Sequence, residues 1–392
     1  MNGAVLGPFE GGGAITDVEA WESERKGAIR KALQQYEYGM FPTASQTRVL
    51  EKREIDTAAF GGNGVVEEWT LSATASFNGV EATTKTVMDK DGFLFQIVMP
   101  ADRTGPVPVI LMETFCPWWD AIPHPGVSRP AGSDPVVEEG GGIITFVFGR
   151  FICTPPIEEI LDRGFAIALF YPSSVIPDSV VAGDAELRRL SSGYVDDDTR
   201  WGTVAGWAWL YSRLIDALED DERFDKDGMI VWGHSRYGKA ALAAAAFDER
   251  IDGVIAHQSG TGGASLNVDK PGESVAQMME NYPHWFSKTY ASFAGREEEL
   301  PIDQHQLLAL IAPRPILLGN ARRDVWSDPS GAFLAAKESG PVWALYGAQG
   351  LAQERLDRWH PDGDIAFWIR PGTHGVVKED WPAFLEFLQA HF

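Results

Sequence analysis

The stretch of residues 227–247, DGMIVWGHSRYGKAALAAAAF, decides the fold class predicted for this chain. Its apolar run at residues 229–232 is typical of a strand buried on both faces of a parallel sheet. A short turn around Ser235 follows, and the alanine-rich residues 239–247 then predict a helix. A buried strand that passes through a tight turn into a helix is the repeating unit of α/β proteins.

Short apolar runs separated by helical segments continue on both sides of this stretch. From about residue 106 onward, six further runs predict buried strands: VPVILME, IITFVF, FAIALFY, GVIAH, PILLGN and IAFWIR. Helices are predicted between or after them over residues 200–218, 328–337 and 381–391. The alternation predicts a mostly parallel central sheet with right-handed crossovers.

The N-terminal part has a different pattern. An amphipathic helix is predicted over residues 17–38, with Asp17 as its N-cap. Four alternating segments, TRVLEKREI, GVVEEWTLSA, EATTKTVMD and FLFQIVM, predict antiparallel strands joined by turns rich in Gly, Asn and Asp. We expect one α/β domain over residues 1–392, in which residues 1–100 form this helix and these strands. Residues 116–142 are expected to form a long loop, and residues 261–301 an insertion near the active site.

Composition narrows the range of partners. The 392 residues carry a formal net charge of −23, which disfavours binding to nucleic acid or to anionic lipid. No apolar run is long enough to span a bilayer, and the N-terminal residues lack the pattern of a signal peptide. No Cys/His cluster has zinc spacing, so neither a metal nor a cofactor is expected, and a monomer is favoured. For Cys116 and Cys153 a bridge is possible, but free thiols are the favoured expectation.

Ser235 is the candidate nucleophile. A strand, a tight turn centred on Ser and a helix form the nucleophile elbow, which lifts the hydroxyl above the strand end and beside a helix N-terminus. The usual pattern has Gly two residues after the Ser, whereas this chain has Tyr237 there and Gly238 one position later. The alternative is a serine that only caps the helix.

A serine hydroxyl needs a base, and the base needs a carboxylate that orients it. His374 follows the last predicted strand, which is the position of the base in the order Ser, acid, His. Asp324 follows the strand PILLGN and is the favoured acid, whereas Asp328 precedes a proline and is expected to cap a helix. The other histidines considered are less well placed: His124, His257, His284, His305 and His391. Packing or supporting roles are expected for His257, His284 and His305.

Several ordered motifs between residues 200 and 374 resemble one family. The segments GHSRYGKAAL, HQSGTGGASL, PGES, PHWF, LPIDQHQLLALIAPRP and DVWSDP are similar to those of the glucuronoyl esterases, carbohydrate esterase family 15. The resemblance implies an α/β-hydrolase fold, a three-layer αβα sandwich with an exposed cleft. It also implies hydrolysis of esters that join 4-O-methylglucuronic acid on xylan to alcohols of lignin, and it favours a secreted or periplasmic protein.

The same resemblance implies roles for individual residues. Ser235 would be the nucleophile and His374 the base, while Arg236 would hold the oxyanion through its backbone N–H and its guanidinium. A second N–H is expected from the loop after VPVILME, near Phe115. Three positions that contact the uronate sugar in the family correspond to Lys239, Glu273 and Trp326.

One departure from the family concerns the catalytic acid. Many members have Glu in a Gln-Glu-Ser-Gly segment, whereas this chain has His257-Gln258-Ser259-Gly260. Gln258 cannot supply a carboxylate, which strengthens Asp324 as the acid and leaves Gln258 among the substrate-binding candidates. His234 also replaces the Cys that precedes the nucleophile in fungal members.

Three other functions fit the same residues. An acetyl-type carbohydrate esterase would use the same triad on esters of sugar hydroxyls. A peptidase of the same fold is disfavoured, because no propeller-sized domain is evident. A carbohydrate-binding protein that has lost catalysis would be compatible with Gln258.

Overall fold

The predicted apolar runs, with one exception, lie in a single sheet. A computed structural model describes residues 4–9, 11–86, 91–129 and 142–392. Within these residues ten strands join the sheet: β1 Ala44–Ala59, β2 Gly64–Phe77, β3 Val80–Thr83, β4 Phe93–Pro100, β5 Val107–Glu113, β6 Ala166–Phe170, β7 Phe224–His234, β8 Gly253–His257, β9 Ile316–Ala321 and β10 Ile365–Arg370.

The sheet has an antiparallel half and a parallel half. Its order is β1-β2-β4-β6-β5-β7-β8-β9-β10, with β3 paired to β2. The strands from β6 to β10 in that order are parallel, and the N-terminal strands and their junction with β6 are antiparallel. The mostly parallel sheet with antiparallel N-terminal strands is therefore confirmed.

Helices cover both faces of the sheet. In the described residues they are α1 Val18–Ala20, α2 Lys26–Leu33, α3 Trp118–Ala121, α4 Gly142–Phe148, α5 Ile157–Asp162, α6 Ala182–Leu190, α7 Thr203–Leu218, α8 Arg236–Phe247, α9 Val275–Asn281, α10 Lys288–Ser292, α11 Gln304–Ala309, α12 Pro329–Leu345 and α13 Asp380–His391. The wider π-helical turns Trp21–Arg25 and Gln34–Tyr38 complete the predicted N-terminal helix. Among the residues that the structure describes, no helix is long and apolar enough to cross a bilayer.

Alternating side chains of the central strands build two apolar cores. On β7, Met229 and Val231 belong to the core that also contains α7 and α8, whereas Ile230 and Trp232 belong to the core that contains α13. The ring of Trp232 stacks on that of Trp381, with centroids 5.6 Å apart. A strand that is apolar on both faces must be covered on both, and the three layers provide this.

The prediction that IITFVF forms a strand is wrong, because these residues lie in the helix α4. β5 pairs directly with β6, from Val109 opposite Ala166 onward, so the sheet has no gap for another strand there. Phe146 is 89% exposed, which shows that this apolar run lies at the surface rather than in the core. The predicted strand EATTKTVMD is shortened to β3, and its residues 87–89 are outside the described residues, as are residues 130–141 of the predicted long loop.

The favoured expectation of free thiols is also wrong. Cys116 and Cys153 form a disulfide, with their Cα atoms 5.2 Å apart across 37 positions of sequence. Cys116 follows β5, and Cys153 follows the segment that contains α4. Because both segments return to the carboxyl edge of the sheet, the two cysteines are close in space although they are distant in sequence.

Candidate active site

Ser235 lies on the sharp turn between β7 and α8. Its backbone has φ 55° and ψ −122°, a conformation that residues with a side chain rarely adopt. The backbone N–H of Ser235 donates to the carbonyl of His257, 2.8 Å away, which fixes the turn to β8. A Cβ at Gly233 would overlap the carbonyl of Tyr237, so glycine is needed there although position 237 itself tolerates a tyrosine.

His374 and Asp324 meet at the same edge of the sheet as Ser235. Nδ1 of His374 lies 2.7 Å from Oδ2 of Asp324, and the ring of His374 lies 4.6 Å from that of His234, measured between centroids. Asp324 follows β9 and His374 follows β10, and the carboxyl ends of parallel strands share one edge. With Nδ1–H donating to the carboxylate, Nε2 of His374 remains as the proton acceptor.

Asp324 has the environment of an ionised carboxylate. Burial would raise its pKa, but the hydrogen bond and charge of His374 and the hydrogen bonds of Ser327 outweigh burial and lower that pKa below its ordinary value. The hydroxyl of Ser327 also lies 3.3 Å from Nδ1 of His374. Asp328 caps α12 by accepting the N–H of Gly331 at 2.9 Å, as predicted.

Arg236 is the first residue of α8 and lies among aromatic rings. Its guanidinium carbon is 5.6, 5.8 and 5.0 Å from the ring centroids of three residues, which we call the aromatic wall: Phe115, Tyr282 and Trp285. The guanidinium pairs with Asp178, a carboxylate that also accepts hydrogen bonds from the ring nitrogens of His284 and Trp285 at 2.9 and 2.8 Å. Asp178 was not identified from sequence, because it lies in an irregular segment after β6 that carries no motif.

The expected oxyanion donors are backbone N–H groups of the residue after Ser235 and of the loop after β5. The backbone N–H of Arg236, at the start of α8, has no acceptor within its own helix. On the loop after β5, the N–H of Thr114 donates to Phe170 at 2.8 Å, so Phe115 is the next residue that can supply an N–H from this loop. Oriented N–H groups at a helix start stabilise developing negative charge.

The three predicted sugar contacts have different environments. Lys239 is buried and its ammonium donates to the carbonyls of Ser259 and Thr261 at 2.6 and 2.5 Å, so it supports this turn rather than an open cleft. Burial lowers the pKa of Lys239 to about 8. Glu273 is buried and its N–H donates to the carbonyl of Trp326 at 3.0 Å, whereas the side chain of Trp326 is 50% exposed.

Gln258, which was predicted to contact the substrate, contacts another part of the chain through its side chain. Its side chain is buried and both ends of its amide contact the loop that carries His374. Nε2 donates to the carbonyl of Thr373 at 3.3 Å, and Oε1 accepts the N–H of Gly375 at 2.8 Å. Both groups belong to the chain immediately before and after His374.

Two further histidines continue from His374 into the interior, and together we call them the histidine row: His374, His234 and His257. Nδ1 of His234 lies 3.2 Å from Nδ1 of His257, and Nε2 of His257 lies 3.5 Å from Asp380. Asp380 in turn accepts two hydrogen bonds from Arg370 at 2.9 and 3.0 Å. Burial, followed by the nearby charge of His374, holds the pKa of His234 well below its usual range, so this ring is neutral.

Known proteins similar to this chain include several esterases. The family model described as fungal glucuronyl esterase matches residues 192–347. The carbohydrate esterase MZ0003, from an unknown prokaryotic organism, is 29% identical over 97% of this chain and 87% of its own length. A 4-O-methyl-glucuronoyl methylesterase of Hypocrea jecorina is 34% identical, but the match spans 37% of this chain and 34% of that protein.

A solved structure extends the similarity to the whole fold. A promiscuous CE15 esterase from a marine bacterial metagenome has a TM-score of 0.83 and 27% identity, and the match covers 100% of this chain and 96% of that one. The match includes the N-terminal strands, which carry none of the motifs quoted from the sequence.

Proposed function

We propose that this chain, which belongs to the glucuronoyl esterase family, carbohydrate esterase family 15, hydrolyses esters between 4-O-methylglucuronic acid and an alcohol. Its enzyme class is carboxylic ester hydrolase. One observation carries the proposal for this site: Ser235 lies on a strand–helix turn with φ 55°, at the sheet edge where the His374–Asp324 pair lies.

In the proposed mechanism, Ser235 is the nucleophile. As its Oγ attacks the ester carbonyl carbon, Nε2 of His374 removes the hydroxyl proton, and Asp324 stabilises the resulting imidazolium. The C–O bond to the alcohol then breaks, and the alcohol leaves with the proton from His374. Water, deprotonated by His374, attacks the acyl-enzyme, and the acid product leaves as Ser235 recovers its proton.

Arg236 serves the oxyanion and the acyl group. Its backbone N–H and the N–H of the Phe115 loop face the charge that develops on the carbonyl oxygen. Its guanidinium, anchored by Asp178, brings a positive charge to the nucleophile of a protein whose net charge is −23. A polar acyl group such as a uronate ester fits this environment better than an apolar one does.

The exposed ring of Trp326 supports recognition of a sugar. Its 50% exposure leaves an aromatic face available, and sugar rings pack on such faces. The hydrogen bond from the N–H of Glu273 to the carbonyl of Trp326 joins the two segments, so a sugar on the Trp326 ring lies close to Glu273. Lys239 supports the neighbouring turn at residues 259–261.

The chain is also proposed to act outside the cytosol. The disulfide between Cys116 and Cys153 supports this, because such bonds persist mainly in oxidising compartments. Alkylation of protein from its native source should add no label before reduction and two labels after it. Two reactive thiols before reduction would contradict the proposal.

A substrate panel tests the proposed specificity. Methyl and benzyl esters of 4-O-methylglucuronic acid should be hydrolysed with at least about tenfold higher kcat/KM than acetylated xylo-oligosaccharides, which is about 1.4 kcal/mol of transition-state preference. A fluorophosphonate should label Ser235, located by mass spectrometry, and Ser235→Ala should be the unlabelled control.

Two outcomes of the panel would contradict the proposal in different ways. Faster hydrolysis of acetyl esters, with Ser235 labelled, would make the chain an acetyl esterase of the same fold. Sugar binding without turnover and without label would make it a carbohydrate-binding protein.

A further inference from the structure

We infer that Gln258 is a positioning residue for His374, and that it acts by holding the two peptide groups that flank this histidine. The amide of Gln258 donates to the carbonyl of Thr373 and accepts the N–H of Gly375. The inference rests on the proposed role of His374 as the base. It gives a function to the position at which many family members have a catalytic carboxylate.

The main chain of Gln258 is itself anchored to the sheet. Its N–H donates to the carbonyl of Gly319 on β9 at 2.7 Å, and its carbonyl accepts the hydroxyl of Ser327 at 3.3 Å. The residue has φ 50°, so its backbone leaves the β8 direction sharply at this point. Because the backbone of Gln258 is fixed to the sheet, its side chain holds the His374 loop at a fixed position relative to the sheet.

A second side chain holds the same loop from the other side. Arg370 donates to the carbonyls of Thr373 and Gly375 at 3.2 and 2.7 Å, and it is itself paired with the buried carboxylate of Asp380. Thr373 therefore accepts from both Gln258 and Arg370. Of these two side chains, Gln258 is the one that also binds an N–H of the loop, that of Gly375, which fixes the orientation of the peptide after His374.

The residue type at position 258 follows from these contacts. One end of the side chain must donate to a carbonyl and the other must accept from an N–H, and an amide does both. An ionised glutamate would only accept, and it would direct a buried negative charge at the carbonyl of Thr373. The amide is therefore suited to holding the loop, while the carboxylate that orients the ring comes from Asp324.

Small displacements of the base have large effects on rate. A shift of about 1 Å in a reacting group costs up to about 100-fold in rate. The side chain of His374 is held by Asp324 and Ser327 at Nδ1, whereas its Cα is placed by the peptide groups on either side. Loss of the Gln258 amide should therefore move Nε2 relative to Ser235 without removing either catalytic group.

Gln353 offers a matched control within the same chain. It is also buried, and its amide donates to the carbonyl of Phe367 at 3.1 Å and accepts the N–H of Phe367 at 3.2 Å. Phe367 lies inside β10, not on the loop that carries His374. Gln353→Leu thus removes the same kind of hydrogen bonds from a purely structural position.

The experiment measures the second-order rate of Ser235 labelling by diisopropyl fluorophosphate, a small reagent with no sugar portion. It compares the wild-type protein with Gln258→Leu, Gln258→Glu and Gln353→Leu, at a temperature well below every unfolding midpoint. Because the reagent needs an activated serine but no uronate, the result is independent of the substrate class. Absence of label in the wild-type protein would overturn the proposed function and this inference with it.

We expect labelling of Gln258→Leu to be about 10- to 100-fold slower than that of the wild type, and labelling of Gln353→Leu to stay within about threefold. Gln258→Glu keeps the acceptor for Gly375, and when protonated it regains the donor for Thr373. Its deficit relative to the wild type at the same pH should therefore shrink as the pH falls.

Two results would overturn the inference while leaving the proposed function intact. One is wild-type labelling of Gln258→Leu, with a loss of thermal stability like that of Gln353→Leu, which would show a merely structural role. The other is labelling of Gln258→Glu at or above the wild-type rate at every pH, which would show that the donor to Thr373 has no effect on the base.

Discussion

The two sides of the nucleophile differ in how their buried polar groups are paired. On the side of the histidine row, His374 is bound by Asp324, its loop is held by Gln258 and Arg370, and Arg370 is held by Asp380. On the side of the aromatic wall, buried polar atoms lack a hydrogen-bond partner among the described residues: Nε of Arg236, Nδ1 of His284 and both carboxyl oxygens of Glu113. In the histidine row Nε2 of His257 also lacks a hydrogen bond, although it lies 3.5 Å from Asp380, so the two sides differ in the number of unpaired atoms and not in their presence.

We interpret the side of the histidine row as the one that carries out the chemistry, and the side of the aromatic wall as the one that recognises the acyl group. On the side of the histidine row, His374 and its loop are held by other residues of the same chain. The side of the aromatic wall offers a cation, aromatic faces and an unpaired donor to an incoming acyl group. Variants on the two sides should therefore change different kinetic constants.

The largest effect is expected at the residue that both sides share. Ser235→Ala should lower kcat by at least about 10⁴-fold for every ester, because no other group can form the acyl-enzyme. Steady-state hydrolysis of an activated ester measures it, with circular dichroism to verify the fold. Turnover that survives this change would remove the basis for comparing the two sides.

A change on the side of the histidine row should lower kcat for all substrates alike. Asp324→Asn should lower kcat by about 10³- to 10⁴-fold, because an amide cannot stabilise the imidazolium and favours the wrong tautomer of His374. Asp328→Asn, four residues on, keeps a helix cap and should stay within about threefold. Equal losses in the two variants would mean that Asp324 acts through the structure of its loop.

A change on the recognition side should be specific to the substrate. Trp326→Ala should raise KM for uronate esters about tenfold, which corresponds to the loss of about 1.4 kcal/mol of ring contact, and should leave small acetyl esters unchanged. Val325→Ala is the matched control, since Val325 is similarly exposed. A fall in kcat for small esters as well would assign Trp326 to the chemistry.

The remaining effect concerns folding stability and not catalysis, through Glu113 on the side of the aromatic wall. Burial raises the pKa of Glu113 well above its usual range, so the folded protein keeps a proton that the unfolded chain releases above about pH 4.5. The contribution of this group to the stability of the wild type therefore falls as the pH rises from there up to the folded pKa. Glu113→Gln does not titrate, so its stability relative to the wild type should rise with pH over this window.

Urea unfolding at several pH values between 4 and 8 measures the Glu113 effect. A stability difference that does not change with pH would mean that Glu113 ionises normally and is solvated in the folded protein. Glu113 would then no longer contribute to the difference between the two sides.

The sequence predicted the parallel half of the fold well, for identifiable reasons. The runs that form β5 to β10 are apolar on both faces, and IITFVF is the one predicted run that does not form a strand. Ser235, Asp324 and His374 each follow a strand, and the carboxyl ends of these strands lie at one edge of the sheet. IITFVF failed because apolar, β-branched residues carry the same signal whether a segment enters the sheet or forms a surface helix beside it. Local pattern cannot tell which of these the neighbouring strands allow.

The supporting residues could not be predicted in the same way. Arg370 lies at the end of a strand and Asp380 at the start of a helix, positions where charged residues are common. Their pairing, and the contact of Gln258 with the His374 loop, depend on distances between segments that are far apart in sequence. Lys239 was assigned to a sugar on the basis of resemblance, whereas its hydrogen bonds go to main-chain carbonyls.

The unusual dihedral angles of Ser235 limit how far the thermal stability of this protein can be raised without loss of activity. A residue with a side chain in this conformation destabilises the fold by about 1–3 kcal/mol, and glycine would not. A library of variants selected only for heat resistance should therefore accumulate Ser235→Gly. Such a selection would yield more robust proteins that no longer cleave any ester, so thermostabilisation must be screened for turnover from its first round.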